Sequence, residues 1–530
     1  MTGQIQNRRL DTVLCLLFAL AGLGFAIYAY HKPVSDFGNY FFSSREAFGD
    51  KVWSNVYDVF AFNVKYSGEG VFLNHTPVPP QSMLFYLPFR FAEDVYLSRF
   101  LFNLFGVLLF VFALHRLLRS PLLKSKTGLY LLAIPALIPF YYNIAFGQSY
   151  TYIAAALIGM LLLYEKGKWL PASLLLAVVI SLKTTPLVLL LYFILKKDWR
   201  FVIGTVFICL LFLALTIPAT GFETVYNYYA HIFPRISDGY VSDPYSTSFH
   251  GFIVILRKLF SPDALLNPQA LSDAGSAWIS IVSGLISLLT LWIAFSLVWK
   301  KWNEPAAGIF VLLLFLNLSS GYMSTYSLLL LFPFFPAVNS RKDWISVFLL
   351  ALAFALPPRL FDGWPVLLAH YKFWLFLAVL FLQFRDGKAI FSIPVAGFYV
   401  LGFSGIFLLA KSMNTKDIPA ISYYAPEKIR EHYVFRYRLD PAGLQYTYWD
   451  NKSAQQEKHA DKPLLRQDED TMLHRLNQAQ EIFLPGHWQA KQFTRVNDTV
   501  VFLSDYKRGA GLYNLFCMPV KEFEALVKNR

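Results

Sequence analysis

The sequence predicts an all-α polytopic membrane protein that crosses the bilayer about 11–13 times and carries a small C-terminal α/β domain outside it. Three observations lead there. Of 530 residues, 56% are hydrophobic and 15% are charged, against about 25% charged in an average soluble protein. Apolar runs of helical length recur from residue 11 to residue 410. The composition then changes near Lys411, from 12% charged over 1–410 to 28% over 411–530. So much apolar side chain has too little polar surface to cover it in water, which excludes a string of soluble domains. Cys15, Cys209 and Cys517 are too few and too widely spaced for a disulfide scaffold or a cysteine-based zinc site. The net charge of +13 calls for no nucleic-acid partner, because basic residues flanking membrane helices account for most of it.

The first span, 11–30, follows Arg8 and Arg9 and reads as an uncleaved anchor. Further candidates lie at 95–118, 128–146, 149–165, 169–182, 185–197, 201–217, 276–299, 304–320, 323–338, 344–357, 366–384 and 389–410. A crossing takes roughly 20 residues, so several are short, and 169–197 reads as one broken helix or two half-helices. With the N-terminus in the cytoplasm, 17 of the 29 basic residues of 1–410 fall in seven short inner segments, as the positive-inside rule requires. The expected location is the inner (plasma) membrane, among whose lipids the 1–410 module sits. Outer loops span 31–94 and 218–275, and the tail, 411–530, lies outside. Segments 36–48, 222–234 and 250–260 are aromatic or amphipathic and read as interfacial helices, the first with Ser35 as a possible N-cap. In the tail, 434–439, 444–449 and 499–504 read as strands, and 467–480 and 520–528 as helices. The tail contains no catalytic motif and is expected to dock or position a partner.

Polar side chains near the membrane are expensive and mark candidate sites. Asp36 follows the first span in SDFGNY, either as a functional carboxylate or as one favoured by a helix dipole. Lys183 lies in SLKTTP between two apolar runs that Pro186 and two threonines interrupt. It reads as a phosphate-binding cation helped by Thr184, or as a snorkelling lysine. Gln148, after Gly147 at the mouth of a span, can hold sugar hydroxyls or cap backbone. His75, in a proline-fixed loop, touches substrate or is merely solvated. Arg90, Arg235, Arg257 and Arg359 are further phosphate candidates on the outer side, and Asp58, in NVYDVF, is the alternative loop carboxylate. No carboxylate–histidine group has metal-ligand spacing.

In order and spacing these pieces resemble the GT-C glycosyltransferases, most closely the glycosyltransferase family 87 mannosyltransferases. The likeness rests on Asp36-Phe37-x-x-Tyr40, Val56-Tyr57-Asp58, the stretch from Pro77 to Pro88, Gly147-Gln148, and Lys183-Thr184-x-Pro186. It covers residues 11–200 well and 201–410 by hydropathy alone; the tail lies outside it. The resemblance implies a helical fold with a cavity open to the outer face. It implies a polyprenyl-phosphate-linked sugar donor, commonly mannose, and a glycolipid or glycan acceptor. It also implies an aspartate general base in the first outer loop, which maps to Asp36, with Asp58 as the alternative. Tyr40, His75 and Gln148 are then substrate-binding candidates, and Lys183, Thr184, Arg235, Arg257 and Arg359 donor-phosphate candidates. One carboxylate suffices for an inverting single displacement, so neither cofactor nor metal is expected. A transporter or flippase of a lipid-linked glycan is the alternative reading, although no internal repeat supports it.

Overall fold

A computed structural model describes residues 2–46, 56–66, 73–241, 243–263, 266–300, 304–357, 359–384, 418–424, 433–440, 443–449, 454–459, 471–478 and 482–528. The first part is helical. In chain order its helices are α1 (Thr2–Tyr30), α2 (Asp36–Arg45), α3 (Val59–Lys65), α4 (Met83–Tyr86), α5 (Val95–Leu118), α6 (Thr127–Phe146) and α7 (Tyr150–Glu165). There follow α8 (Trp169–Leu182), α9 (Leu190–Leu195), α10 (Trp199–Thr220), α11 (Phe222–Asn227), α12 (Phe233–Ser237) and α13 (Phe252–Phe260). The set closes with α14 (Ser276–Lys300), α15 (Pro305–Ser319), α16 (Arg341–Ala355), α17 (Val366–Ala369) and α18 (Tyr371–Phe384).

Among the described residues, five helical segments are long and apolar enough to cross a membrane: Arg8–Tyr30, Val95–Leu118, Thr127–Phe146, Trp199–Thr220 and Ser276–Trp299. Other expected spans form shorter apolar helices, including α7, α8, α15 and α18. Two are broken. Residues 185–197 divide into a 3-10 turn, Thr185–Leu189, and α9; residues 323–338 contain the 3-10 turns Thr325–Leu330 and Phe332–Phe334. Prolines cause both breaks: Pro186 and Pro333 lie in the first turn of a 3-10 segment, where a missing N–H is tolerated. The 389–410 span lies outside the described residues.

The bundle core is aromatic. Phe18 on α1 is fully buried and meets Phe110 of α5 at 5.5 Å, Phe140 of α6 at 5.2 Å and Phe332 at 5.2 Å between ring centres. Such ring pairs contribute about 0.5–1.5 kcal/mol each beyond their area. α1 packs on α5 and α6, α7 joins α5 to α8, and α8 packs on α10.

The outer segments differ from the interfacial helices expected. In α2 every residue from Phe37 to Ser44 is buried, so the helix lies within the protein rather than on headgroups. Amphipathic periodicity identifies an apolar face without saying whether lipid or protein covers it. In α13 Ile253 to Arg257 are likewise buried. Segment 222–234 keeps Phe222 and Tyr226 exposed while Tyr228 turns inward.

The tail contains two antiparallel sheets. Strands β1 (Ser422–Tyr423), β2 (Tyr433–Asp440), β3 (Gly443–Trp449) and β4 (Ala454–His459) precede α19 (Thr471–Gln478). After it come β5 (Ile482–Leu484), β6 (Trp488–Val496), β7 (Thr499–Ser504), β8 (Asn514–Pro519) and α20 (Val520–Lys528). One sheet runs β1-β8-β7-β6-β5 and the other β2-β3-β4. The tail packs directly on the loops at 31–94 and 218–275. Arg235 of α12 donates to Asp505 at 2.5 Å with both side chains buried, and its guanidinium lies 4.8 Å from the Trp488 ring centre. Asp505 also accepts from the Gln489 and Gly511 amides at 2.8 and 2.7 Å. Lys491 pairs with Asp58 at 2.9 Å, Tyr423 donates to Asp263, and the Ala510 amide donates to the Tyr240 carbonyl.

Candidate active site

The site grows from two chain breaks and one buried helix. α6 ends in a Schellman turn: the Gln148 amide donates to the Asn143 carbonyl at 2.8 Å and the Gly147 amide to Ile144 at 3.2 Å. Gly147 adopts φ +67°, and a Cβ there would lie 2.5 Å from Phe37 Cβ. Glycine is therefore required twice, for the left-handed turn and for the approach of α2. That approach brings Asp36 to Gln148. The Gln148 amide nitrogen donates to Asp36 Oδ2, and its carbonyl accepts from the Tyr40 hydroxyl at 2.8 Å. One glutamine thus orients both the carboxylate and the tyrosine one turn later.

The other break is at Lys183. It adopts an extended conformation after α8, its side chain is buried, and its ammonium lies 6.0 Å from the Tyr150 ring centre. It is within electrostatic reach of Asp36. Burial pushes the Asp36 carboxyl above its ordinary range, opposed by the Gln148 hydrogen bond and the Lys183 charge. A carboxylate raised in this way is a better base than one in water.

Aromatics close the pocket of polar groups. Tyr40 stacks on Tyr86 with centroids 4.2 Å apart and planes 5° from parallel. Tyr150 meets Tyr326 at 5.4 Å, and Asn143 holds the Tyr326 carbonyl at 2.8 Å. His75 is fully buried, contrary to a merely solvated histidine; Nδ1 lies 3.0 Å from the Asn39 carbonyl and Nε2 has no partner. Burial lowers its pKa to about 3, so the ring is neutral at pH 7. Nδ1–H donates to the Asn39 carbonyl, which leaves Nε2 as an acceptor suited to a hydroxyl.

The four candidate arginines are engaged elsewhere. Arg235 holds Asp505 of the tail. Arg257 is buried, donates to the Asp238 carbonyl and lies 4.1 Å from the Tyr240 ring centre. Arg359 is exposed and contacts Ser248 Oγ at 3.3 Å, and Arg90 lies over Phe91. Thr184 lies against the Tyr228 hydroxyl. Asp58 faces Lys491 of β6. Among the described residues, no group of three or more His, Cys, Asp or Glu side chains is arranged to hold a metal ion.

One residue that sequence reading passed over positions the centre. Arg99 of α5 is fully buried and donates to the carbonyls of Ala29, Lys32 and Pro33. It ties down the end of α1 and the connecting segment that leads to Asp36. An arginine inside an apolar run was the signal available for finding it.

Comparison with known families bears on this centre. Residues 78–316 match glycosyltransferase family 87. The matched stretch lies within the helical module and is similar to that family. The resemblance drawn from the motifs between Asp36 and Pro186 names the same family. The family 87 segment contains Gln148 and Lys183; Asp36, Tyr40, Asp58 and His75 precede it, and Arg359 and the tail follow it. No curated protein and no solved structure gives a significant match.

Proposed function

We propose that the protein transfers a sugar, mannose by the family resemblance, from a polyprenyl-phosphate donor to a glycolipid or glycan acceptor on the outer membrane face. The observation that supports this reading most is the oriented, desolvated Asp36 beside Gln148 and within electrostatic reach of Lys183. The acceptor hydroxyl approaches Asp36, which takes its proton as the oxygen attacks the anomeric carbon. The bond from that carbon to the donor phosphate oxygen breaks, its electron pair stays with the phosphate, and Lys183 neutralises the charge. Attack opposite the leaving group inverts the anomeric configuration. Gln148 keeps the carboxylate aimed, and Tyr40, Tyr86 and the neutral His75 present polar atoms to sugar hydroxyls.

Lys183→Met retains most of the apolar stem and removes the charge. Donor affinity should fall by about 1.5–3 kcal/mol, the range for hydrogen bonds to charged groups. Titration of the purified chain with a polyprenyl-phosphate sugar tests this; unchanged affinity would make Lys183 a snorkelling residue.

The outward orientation of the tail is tested by impermeant thiol labelling of intact cells. Ser453→Cys and Ser125→Cys are introduced singly into a chain whose three cysteines have been replaced. Labelling at 453 and protection at 125 is expected. The reverse pattern would invert the topology and move the Asp36 centre to the cytoplasmic side.

A further inference from the structure

Three basic side chains that the transfer chemistry leaves unused meet where α13, α17, α18 and the turn Thr325–Leu330 come together. Lys372, at the start of α18, is 2% exposed, and its ammonium donates to Thr325 Oγ1 at 3.0 Å. His250 is equally buried and its Nε2 has no hydrogen-bond partner. His370 is buried too; neither ring nitrogen makes a hydrogen bond of good geometry, although the Phe249 carbonyl lies close. His250 experiences the charges of both Lys372 and His370, and His370 that of Lys258. Asp362 also acts on His370. It is half-exposed, accepts from the Thr247 hydroxyl and lies 3.9 Å from Arg359.

Buried polar groups are normally hydrogen-bonded and buried charges paired. One hydroxyl satisfies one of the three N–H donors of an ammonium. An oxyanion brings several acceptors to the ammonium donors that Thr325 leaves open and to the N–H that each neutral imidazole still offers. The group also lies beside the proposed reaction centre. Thr325 precedes Tyr326, whose ring meets Tyr150, the ring beside Lys183. His370 and Lys372 lie beyond the segment matched to family 87.

We propose that Lys372, His250 and His370 form a second anion subsite, which takes a phosphate-class oxyanion carried by a substrate of the centre containing Lys183. This rests on the transfer function proposed above and adds to it a substrate anion bound apart from Lys183. The oxyanion belongs to a lipid headgroup or to a free phosphate, and the test separates the two.

The purified full-length chain is titrated in detergent with a polyprenyl monophosphate and, separately, with inorganic phosphate. Lys372→Met should weaken at least one affinity by more than about fivefold, and Lys372→Arg should retain it. Loss towards the polyprenyl phosphate alone assigns a lipid-borne group; loss towards both assigns phosphate irrespective of carrier. Losses below fivefold for both probes overturn the subsite. Should Lys372→Met fail to fold, the double variant His250→Gln/His370→Gln is held to the same fivefold threshold. The function reading fails separately: if Asp36→Asn transfers sugar normally, that reading falls whatever the binding titrations give.

Discussion

Asp36→Asn should lower sugar transfer by about 10²–10⁴-fold, the usual contribution of a general base, while donor binding is retained. The amide keeps the size of the carboxylate and remains beside Gln148, so the change removes basicity with little loss of packing. Transfer assays on the purified chain, paired with donor titration, separate the two effects. Asp58→Asn should cost less, because Asp58 faces Lys491 of the tail. Full activity in the Asp36 variant with an inactive Asp58 variant would move the base to Asp58. The pH profile gives a second readout. The base acts when deprotonated, and burial raises the Asp36 pKa. Activity should therefore rise with pH through a midpoint above the roughly 3.9 of a free aspartate. Asp36→Asn should lose that limb.

The second large effect lies at the tail. Arg235 and Asp505 are 1% and 0% exposed and joined at 2.5 Å. Removing one partner of a buried pair leaves an uncompensated charge and typically costs about 3–5 kcal/mol. Arg235→Met and Asp505→Leu should each destabilise the docked tail by that order, read from thermal unfolding and protease protection of the purified chain. Replacing both with apolar residues should recover much of the loss, since no charge is stranded. Single variants as stable as the parent would mean that the tail does not hold the outer loops. Its buried ion pair with Arg235 and its contact with Asp58 join the tail to the loops at 218–275 and 31–94.

The sequence carried the bundle and part of the centre. Apolar runs marked the helices, and the basic residues between them suggested the direction of each crossing. The Lys183 break was legible because Pro186 cannot continue a helix. Gly147-Gln148 was visible as a motif, but its geometry was not: the left-handed turn matters because Phe37 lies against it. The arginines were harder to sort. An outer-loop arginine reads as a phosphate ligand until its partner is known, and the partner of Arg235 is 270 residues away. Tyr86, Tyr150 and Tyr326 were missed for the same reason. In a chain with 31 tyrosines, spacing alone does not distinguish those that line a site from those in an aromatic belt. The interfacial reading of α2 failed because lipid and protein cover an apolar face equally well.

The central claim is that the centre around Asp36 makes a glycosidic bond. The most direct measurement uses the purified chain in proteoliposomes with a polyprenyl-phosphate sugar labelled in the sugar and a glycolipid acceptor. The account predicts labelled glycolipid with inverted anomeric configuration and stoichiometric release of the polyprenyl phosphate. Donor recovered intact in the opposite leaflet, with no labelled acceptor, would contradict it and make the protein a carrier of lipid-linked sugar.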